Sequence, residues 1–398
     1  MESITRNTTS EGNLPPQGVI FTISSLYAYL LHIHDRRKRR GIRYALETIL
    51  VVLILAKLCG LDKPYEIADW AQNRSEFLVE VLRLKRARLP HHSTYRRILE
   101  SVLDQDEFER TMRDFIQQCP EVGQEVVIAI DGKTLRGTIT RDDPFGLHLL
   151  AAYLPGEGIV LFQMVVEQEK ENEIVVAPQL LKSLDLRQKV VVADAMHAQR
   201  SLSLQITEAG GDFVWIIKDN QLTTRQAIEL LFTPQKPLAG EGRPPMDFQT
   251  ARTLDKGHGR LEERIITVSS LLNEYLDWPG VAQVFKLEHR FTNLATGEVE
   301  QDVRYGLTSL SSGAVSPERL MKIVRSEWGI ENGLHYRRDV TFHEDATRMT
   351  RKTAGRAMAT INNLVSNLLA IHGFTNFAQA RRLFDARPQQ ALAVILGL

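Results

Sequence analysis

The chain has 398 residues, 43% hydrophobic and 25% charged, which excludes a disordered chain and allows two or three hydrophobic cores. Its 49 basic residues balance 49 acidic ones, so binding of nucleic acid through bulk charge is excluded and any such role must come from local clusters. Two cysteines, Cys59 and Cys119, without a CxxC pair exclude a disulfide framework and a structural zinc site, and fit a reducing cytosol.

Residues 1–19 are polar and lack a charged stretch ahead of an apolar one, so they read as a flexible tail and not as a signal peptide. From 20 to 120 apolar positions recur at helical spacing, as at Val51, Val52, Leu55 and Leu58, until Asp62 or Lys63-Pro64 ends the pattern. The strongest apolar run, residues 49–56, falls far short of the roughly 20 residues that cross a bilayer, so a buried helix and no membrane partner are expected. Basic residues gather in this region: Arg36, Arg37, Lys38, Arg39 and Arg40 with Arg43, then Lys85, Arg86, Arg88, Arg96 and Arg97. A single charge run is ordinarily a solvated face. Several clusters in a chain of zero net charge place the acids elsewhere, as a one-faced DNA footprint requires. Residues 20–120 are therefore expected to form a helical DNA-binding domain.

Between 121 and 218 the pattern changes to short strand-like runs at 126–130, 147–151, 159–166, 190–193 and 213–217. Helical stretches at 173–184 and 199–208 flank the fourth, which implies a mixed sheet with crossover helices. Two of these strands end in an aspartate, in Ala129-Ile130-Asp131-Gly132-Lys133-Thr134 and in Val192-Ala193-Asp194-Ala195-Met196-His197. Each alone has an ordinary explanation, a turn for Asp131 and a helix N-cap for Asp194. On neighbouring strands the two carboxylates would share a hard cation. Gly132-Lys133-Thr134 does not close a P-loop, because the earlier glycine position is Val127.

Residues 219–301 break this rhythm, with a Pro/Gly-rich linker at 234–245 and strand patterns at 264–268 and 284–291, and read as a β-rich insertion. Arg260, Glu262 and Arg264 fall on one strand face there, where phosphate contact and a cross-strand salt bridge stay equally open. Residues 302–398 bring a strand at 303–307, a long helix from 317 to about 338 and another helix at 354–372. On the long helix Glu327, Glu331 and Arg338 are expected on nearly one face, bracketed by Trp328, Ile330 and Leu334. Arg348, Arg351, Lys352 and Arg356 form a third basic cluster, and His343-Glu344 lacks the second His of a zinc-protease motif, the position being Thr347.

Taken together, Ala-Ile-Asp-Gly-Lys-Thr-Leu-Arg-Gly at 129–137, Ala-Asp-Ala-Met-His-Ala-Gln at 193–199, Lys-Asp-Asn-Gln at 218–221, His-Gly-Arg-Leu-Glu-Glu-Arg at 258–264 and Trp-Gly-Ile-Glu-Asn-Gly-Leu-His-Tyr at 328–336 resemble the DDE transposases of bacterial insertion sequences, the group that includes the H-repeat-associated proteins. The likeness spans nearly the whole chain. It implies a ribonuclease H-like core in two parts, 121–218 and 302–398, interrupted by the insertion. It also implies a catalytic and metal-binding triad of Asp131, Asp194 and Glu331, holding two Mg²⁺ about 4 Å apart, with Mn²⁺ able to substitute. Relatives carry a Tyr, Arg, Glu, Lys signature around the third acid; here Val324 and Glu327 fill the first two slots and Arg338 the last, as a candidate phosphate contact.

Lys133 and His197 are expected as supporting residues, and Arg260 and Arg264 join the basic clusters as DNA contacts. The expected partners are double-stranded DNA, at element ends and target, and a second copy of the chain, in the bacterial cytoplasm at the nucleoid. Water would first hydrolyse the element end, and the freed 3′-hydroxyl would then attack target DNA. A ribonuclease H-like nuclease that cuts without joining, and an inactive DNA-binding derivative, remain open alternatives.

Overall fold

The computed structural model describes residues 19–40, 42–120, 122–123, 126–167, 172–233, 247–257 and 259–398; the expected tail up to residue 18, the linker at 234–245 and His258 lie outside these. The strands are β1 (Val127–Leu135), β2 (Leu147–Leu154), β3 (Ile159–Val166), β4 (Val190–Ala193), β5 (Asp212–Ile217), β6 (Gln249–Gly257), β7 (Arg260–Ser269), β8 (Gln283–Asn293) and β9 (Val299–Thr308). The chain divides into two compact units: a sheet unit of 125–131 and 171–330, and a helical unit of 1–124, 132–170 and 331–398.

In the sheet unit the strand order is β1-β4-β5-β9-β8-β7-β6. β1 pairs with β4 in parallel, from Val127↔Val190 to Ile130↔Ala193, and β4 pairs in parallel with β5. β4 reads Val-Val-Val-Ala with all four residues buried, the unbroken apolar run that a parallel strand covered on both faces needs. From β5 outward the pairing is antiparallel, through β9, β8, β7 and β6. Gly306 on β9 is required by packing, since a β-carbon there would overlap the Phe285 ring and the Trp215 carbonyl. The helix Arg200–Glu208 packs on β5, where Trp215 and Trp278 both donate their indole N–H to Ser203 Oγ, at 2.9 and 3.1 Å. The strand patterns of the expected insertion thus form β6 to β8 and extend the sheet.

In the helical unit the order is β3-β2-β1, with β2 and β3 an antiparallel pair. The helix Leu46–Leu58 is buried along its whole length, its two charged residues Glu47 and Lys57 included. The 20-residue helix Lys352–Ile371 packs against β3 and against the helix Gln105–Gln117. Its Ala359 closes on Leu135, Leu147 and Leu149 in one apolar cluster. Parallel β1, β4 and β5 in the sheet unit and the antiparallel pair β2 and β3 in the helical unit are strands of the ribonuclease H-like mixed sheet that the family resemblance implied.

One expectation fails in the carboxy-terminal part. The long helix from 317 to 338 is an α-helix only over Pro317–Ser326, followed by π-helical turns at Ile330–His335 and Arg337–Thr341. Bonding from i to i+5 adds about one residue to each turn, so residues four apart no longer return to one face. Glu331 is exposed as a result and Arg338 is 0% exposed, so the predicted shared face does not form.

Candidate carboxylate site and nucleic-acid interface

Asp131 and Asp194 each follow the last register pair of β1 and β4, Ile130↔Ala193. Parallel neighbours in register turn equivalent residues to the same face, so the two aspartates stand side by side in the sheet unit. This meets the condition on which the sequence made them a candidate pair. Lys218, the residue after β5, donates from Nζ to Asp194 Oδ1 at 2.8 Å. Burial pushes the Asp194 carboxyl up. The hydrogen bonds from Lys218 and the Ala195 N–H, with the charges of Lys218 and His197, outweigh it and hold the group below the usual carboxylate range.

The third acid facing this pair is Glu327, at the C-cap of Pro317–Ser326. Its carboxyl is pushed up to about 7, first by burial and then by the negative charge of Asp194, with Asp131 adding and Lys218 and Arg304 opposing. Arg304 is itself bound through Nε to Asp302 at 2.6 Å and lies over the Trp328 ring, 5.5 Å from its centroid. The carboxyls of Asp194 and Asp131 both raise that of Glu327, a repulsion that a divalent cation would relieve. Among the described residues no group of three potential ligands is gathered closely enough to hold a metal ion. The donor set, all carboxylate oxygen, nonetheless suits Mg²⁺ or Mn²⁺, and the Lys218 ammonium on Asp194 stands where positive charge is wanted.

Glu331 belongs to the helical unit and is exposed on its π-helical turn. Lys218 and Arg304 had no assigned place in the sequence-based site, and Glu327 was expected beside Glu331 on one helix face. A signal existed for Lys218, which directly follows a strand as Asp194 does.

The two supporting residues are committed elsewhere. His197 has a side chain only 1% exposed, with Nε2 3.1 Å from Glu173 Oε2, so it faces away from solvent. Lys133 Nζ donates to Asp339 Oδ2 at 2.7 Å.

The basic clusters divide into spent and available cations. Arg338 is a correction: it is 0% exposed and its Nε donates to Glu344 Oε2 at 2.8 Å, so it cannot reach a phosphate. Arg264 is bound by Asp255 and Glu262, so the cross-strand salt bridge is the reading that holds. Arg37 folds back onto Asp35 and the Tyr44 carbonyl, and Arg36 pairs with Asp104. Lys38, Arg39, Arg40, Lys85, Arg86 and Arg88 are exposed and form no ion pair among the described residues. The Tyr44 hydroxyl donates to the Arg88 carbonyl, tying these two clusters together within the helical unit. Arg260 is exposed beside Phe291, 5.8 Å from its ring centroid.

The chain is similar to known proteins over most of its length. Residues 123–368 match the family described as "Transposase DDE domain", and residues 27–116 match the one described as "DDE_Tnp_1-associated". "Putative transposase YncI" of Escherichia coli O157:H7 is 29% identical over 354 residues, 87% of this chain and 88% of that one. "H repeat-associated putative transposase YhhI" of Escherichia coli K12 is 28% identical, over 87% of this chain and 90% of its own. A piggyBac transposase in a synaptic complex with hairpin DNA aligns over 93% of this chain and 77% of its own, at 11% identity and a TM-score of 0.41. With a family match covering more than half of its length, this chain belongs to the DDE transposase family.

Proposed function

We propose that this transposase cuts and joins DNA through metal-dependent phosphodiester chemistry. One observation carries the reading: Asp131 and Asp194 directly follow the last paired residues of neighbouring parallel strands. Asp131 and Asp194 hold the cation, and Glu331 is the third ligand that the family motif assigns. When bound, Mg²⁺ polarises the phosphoryl oxygens and lowers the pKa of an attacking water. The protein's own residues then need only bind and orient. The Lys218 ammonium, 61% exposed, is placed to exchange Asp194 for a phosphate oxygen. Lys38, Arg39, Arg40, Lys85, Arg86 and Arg88 neutralise phosphates of double-stranded DNA. In hydrolysis a water oxygen forms the new bond to phosphorus as the bond to the 3′-oxygen breaks. In joining, that 3′-hydroxyl attacks a target phosphodiester and releases a target 3′-hydroxyl.

A second reading places Glu327 in the third ligand's role, and its burial beside both aspartates is the observation that favours it. The test of the whole reading is the joining of a labelled element end to plasmid by the purified chain. A joined product in Mg²⁺ or Mn²⁺ that EDTA abolishes is expected. Cutting without joining would identify a nuclease, and binding without either would identify an inactive derivative.

A further inference from the structure

A cavity of about 890 Å³ opens in the helical unit, lined by none of the residues yet assigned a role in catalysis. Three arginines line it, each in a different state. Arg381 is 5% exposed and committed to Asp62 and to the carbonyls of Lys57 and Thr341. Arg337 is half-buried, its guanidinium stacked 4.0 Å over Phe377 and its Nη1 at 3.4 Å from the Tyr153 hydroxyl and 3.5 Å from the Gly158 carbonyl. Arg382 is exposed and has no ion pair or hydrogen bond among the described residues. The one carboxylate among the described lining residues, Asp385, is already bound to Arg74 and Trp70. The cavity is therefore cationic. Tyr336, 58% exposed, presents an uncommitted phenol ring at the same wall, and Asn332 supplies an amide.

A phosphate ion alone would leave most of this volume empty, since cavities of roughly 300–1,000 Å³ take whole small molecules. A nucleotide supplies what the wall lacks: an anion for Arg382 and Arg337, and a flat ring for Tyr336. The exposure of Arg382 and Tyr336 leaves a way for a strand to pass in and out. We propose that this cavity binds an unpaired nucleotide of a DNA strand, with its phosphate on Arg382 and Arg337 and its base against Tyr336. Resting on the DNA-processing reading above, the proposal adds a single-strand site to it. Asn332 follows Glu331 directly, so one π-helical turn carries both the proposed third ligand and part of this wall.

The test titrates the full-length chain into a ten-nucleotide oligothymidine carrying one 2-aminopurine, in EDTA so that no catalysis intervenes. At saturation the probe's fluorescence should be quenched by stacking. Tyr336→Ala should remove that quench and weaken binding about tenfold, while Tyr336→Phe keeps it. Arg382→Ala should lower the slope of log affinity against log salt by about 0.7. Arg86→Ala, in the other basic cluster, should weaken binding without changing the quench at saturation. An unchanged quench in Tyr336→Ala, or inorganic phosphate at millimolar concentration displacing the probe as well as a single strand does, overturns the proposal. A quench that persists in a protein unable to join DNA would mean that only the catalytic reading had failed.

Discussion

Two groups of charged side chains in this molecule are built on opposite plans. Around Asp62 every charge has an answer: Lys57 Nζ donates at 2.6 Å, Arg381 Nη2 at 2.7 Å, and His343 Nδ1 sits at 3.3 Å. A few residues away in sequence, Glu344 takes Arg338 on one oxygen and Asn362 on the other, both at 2.8 Å. Asp131, Asp194 and Glu327 instead crowd one another, and the cations that reach Glu327 are Lys218 and Arg304, the latter already bound to Asp302. Burial and charge alone therefore do not mark a functional site. A gathering of like charges is the stronger mark, because each carboxylate raises the cost of ionising the next.

The largest effect expected from this contrast is on activity. Asp131→Asn or Asp194→Asn should lower cleavage by at least about a thousandfold, the several kcal/mol that a metal's charge supplies, while DNA binding and folding are retained. Glu331→Gln should do the same. Glu327→Gln mimics a carboxyl that is already half neutral near pH 7, and should keep cleavage within a few fold. Single-turnover cleavage with gel-resolved products measures all four, and a reversal between the two glutamates would give the third-ligand role to Glu327.

Next comes the answered cluster. Asp62→Asn leaves Lys57 and Arg381 buried without their counter-charge, and should cost about 3–5 kcal/mol in urea denaturation. A loss below about 1 kcal/mol would mean that the cluster is not the closed structural unit described above.

The smallest effect concerns Glu47, which belongs to neither plan. It is 0% exposed and neither carboxyl oxygen has a hydrogen-bond partner among the described residues. Burial, with the charge of Asp35 adding and that of Arg37 opposing, pushes it up to about 7. An unfolded chain would ionise it near its ordinary value of about 4.3. The neutral form thus stabilises the fold fully below that value, and the contribution is lost as pH rises to about 7 and stays lost above. The loss should amount to about 3 kcal/mol between pH 4.5 and 7. Glu47→Gln should flatten the difference in stability across that window, and parallel curves for the two proteins would show that Glu47 is ionised in the folded state.

Much of the sheet was legible because its strands are written as short apolar runs. β3 and β4 have the boundaries expected from the sequence, 159–166 and 190–193, and the aspartate after β4, ambiguous alone, drew its meaning from Asp131 on the neighbouring strand. The turn that carries Glu331 was not legible. A spacing of four residues reads as one face only if the helix is α throughout, and nothing in Trp328 to Arg338 announces a π-helical turn. Arg338 looked like a surface cation because its partner, Glu344, lies six residues on, beyond helical neighbour spacing. The retreat of Arg37 was closer to readable, since Asp35 stands two residues before it.

The helix Leu46–Leu58 carries a consequence in time. Much of what covers it is made last: it packs against the helices Phe377–Ala386 and Pro388–Leu396, and Cys59 just beyond it donates to the carbonyl of Phe384, 325 residues further along the chain. At about 5–20 residues per second, a ribosome needs roughly a quarter of a minute to a minute to bridge that interval. Throughout it the nascent chain displays a strongly apolar helix whose cover does not yet exist. A product broken off before residue 377 would keep the exposed arginines proposed to contact DNA but never close this core, so such fragments should be taken by chaperones or proteases before they can occupy an element end.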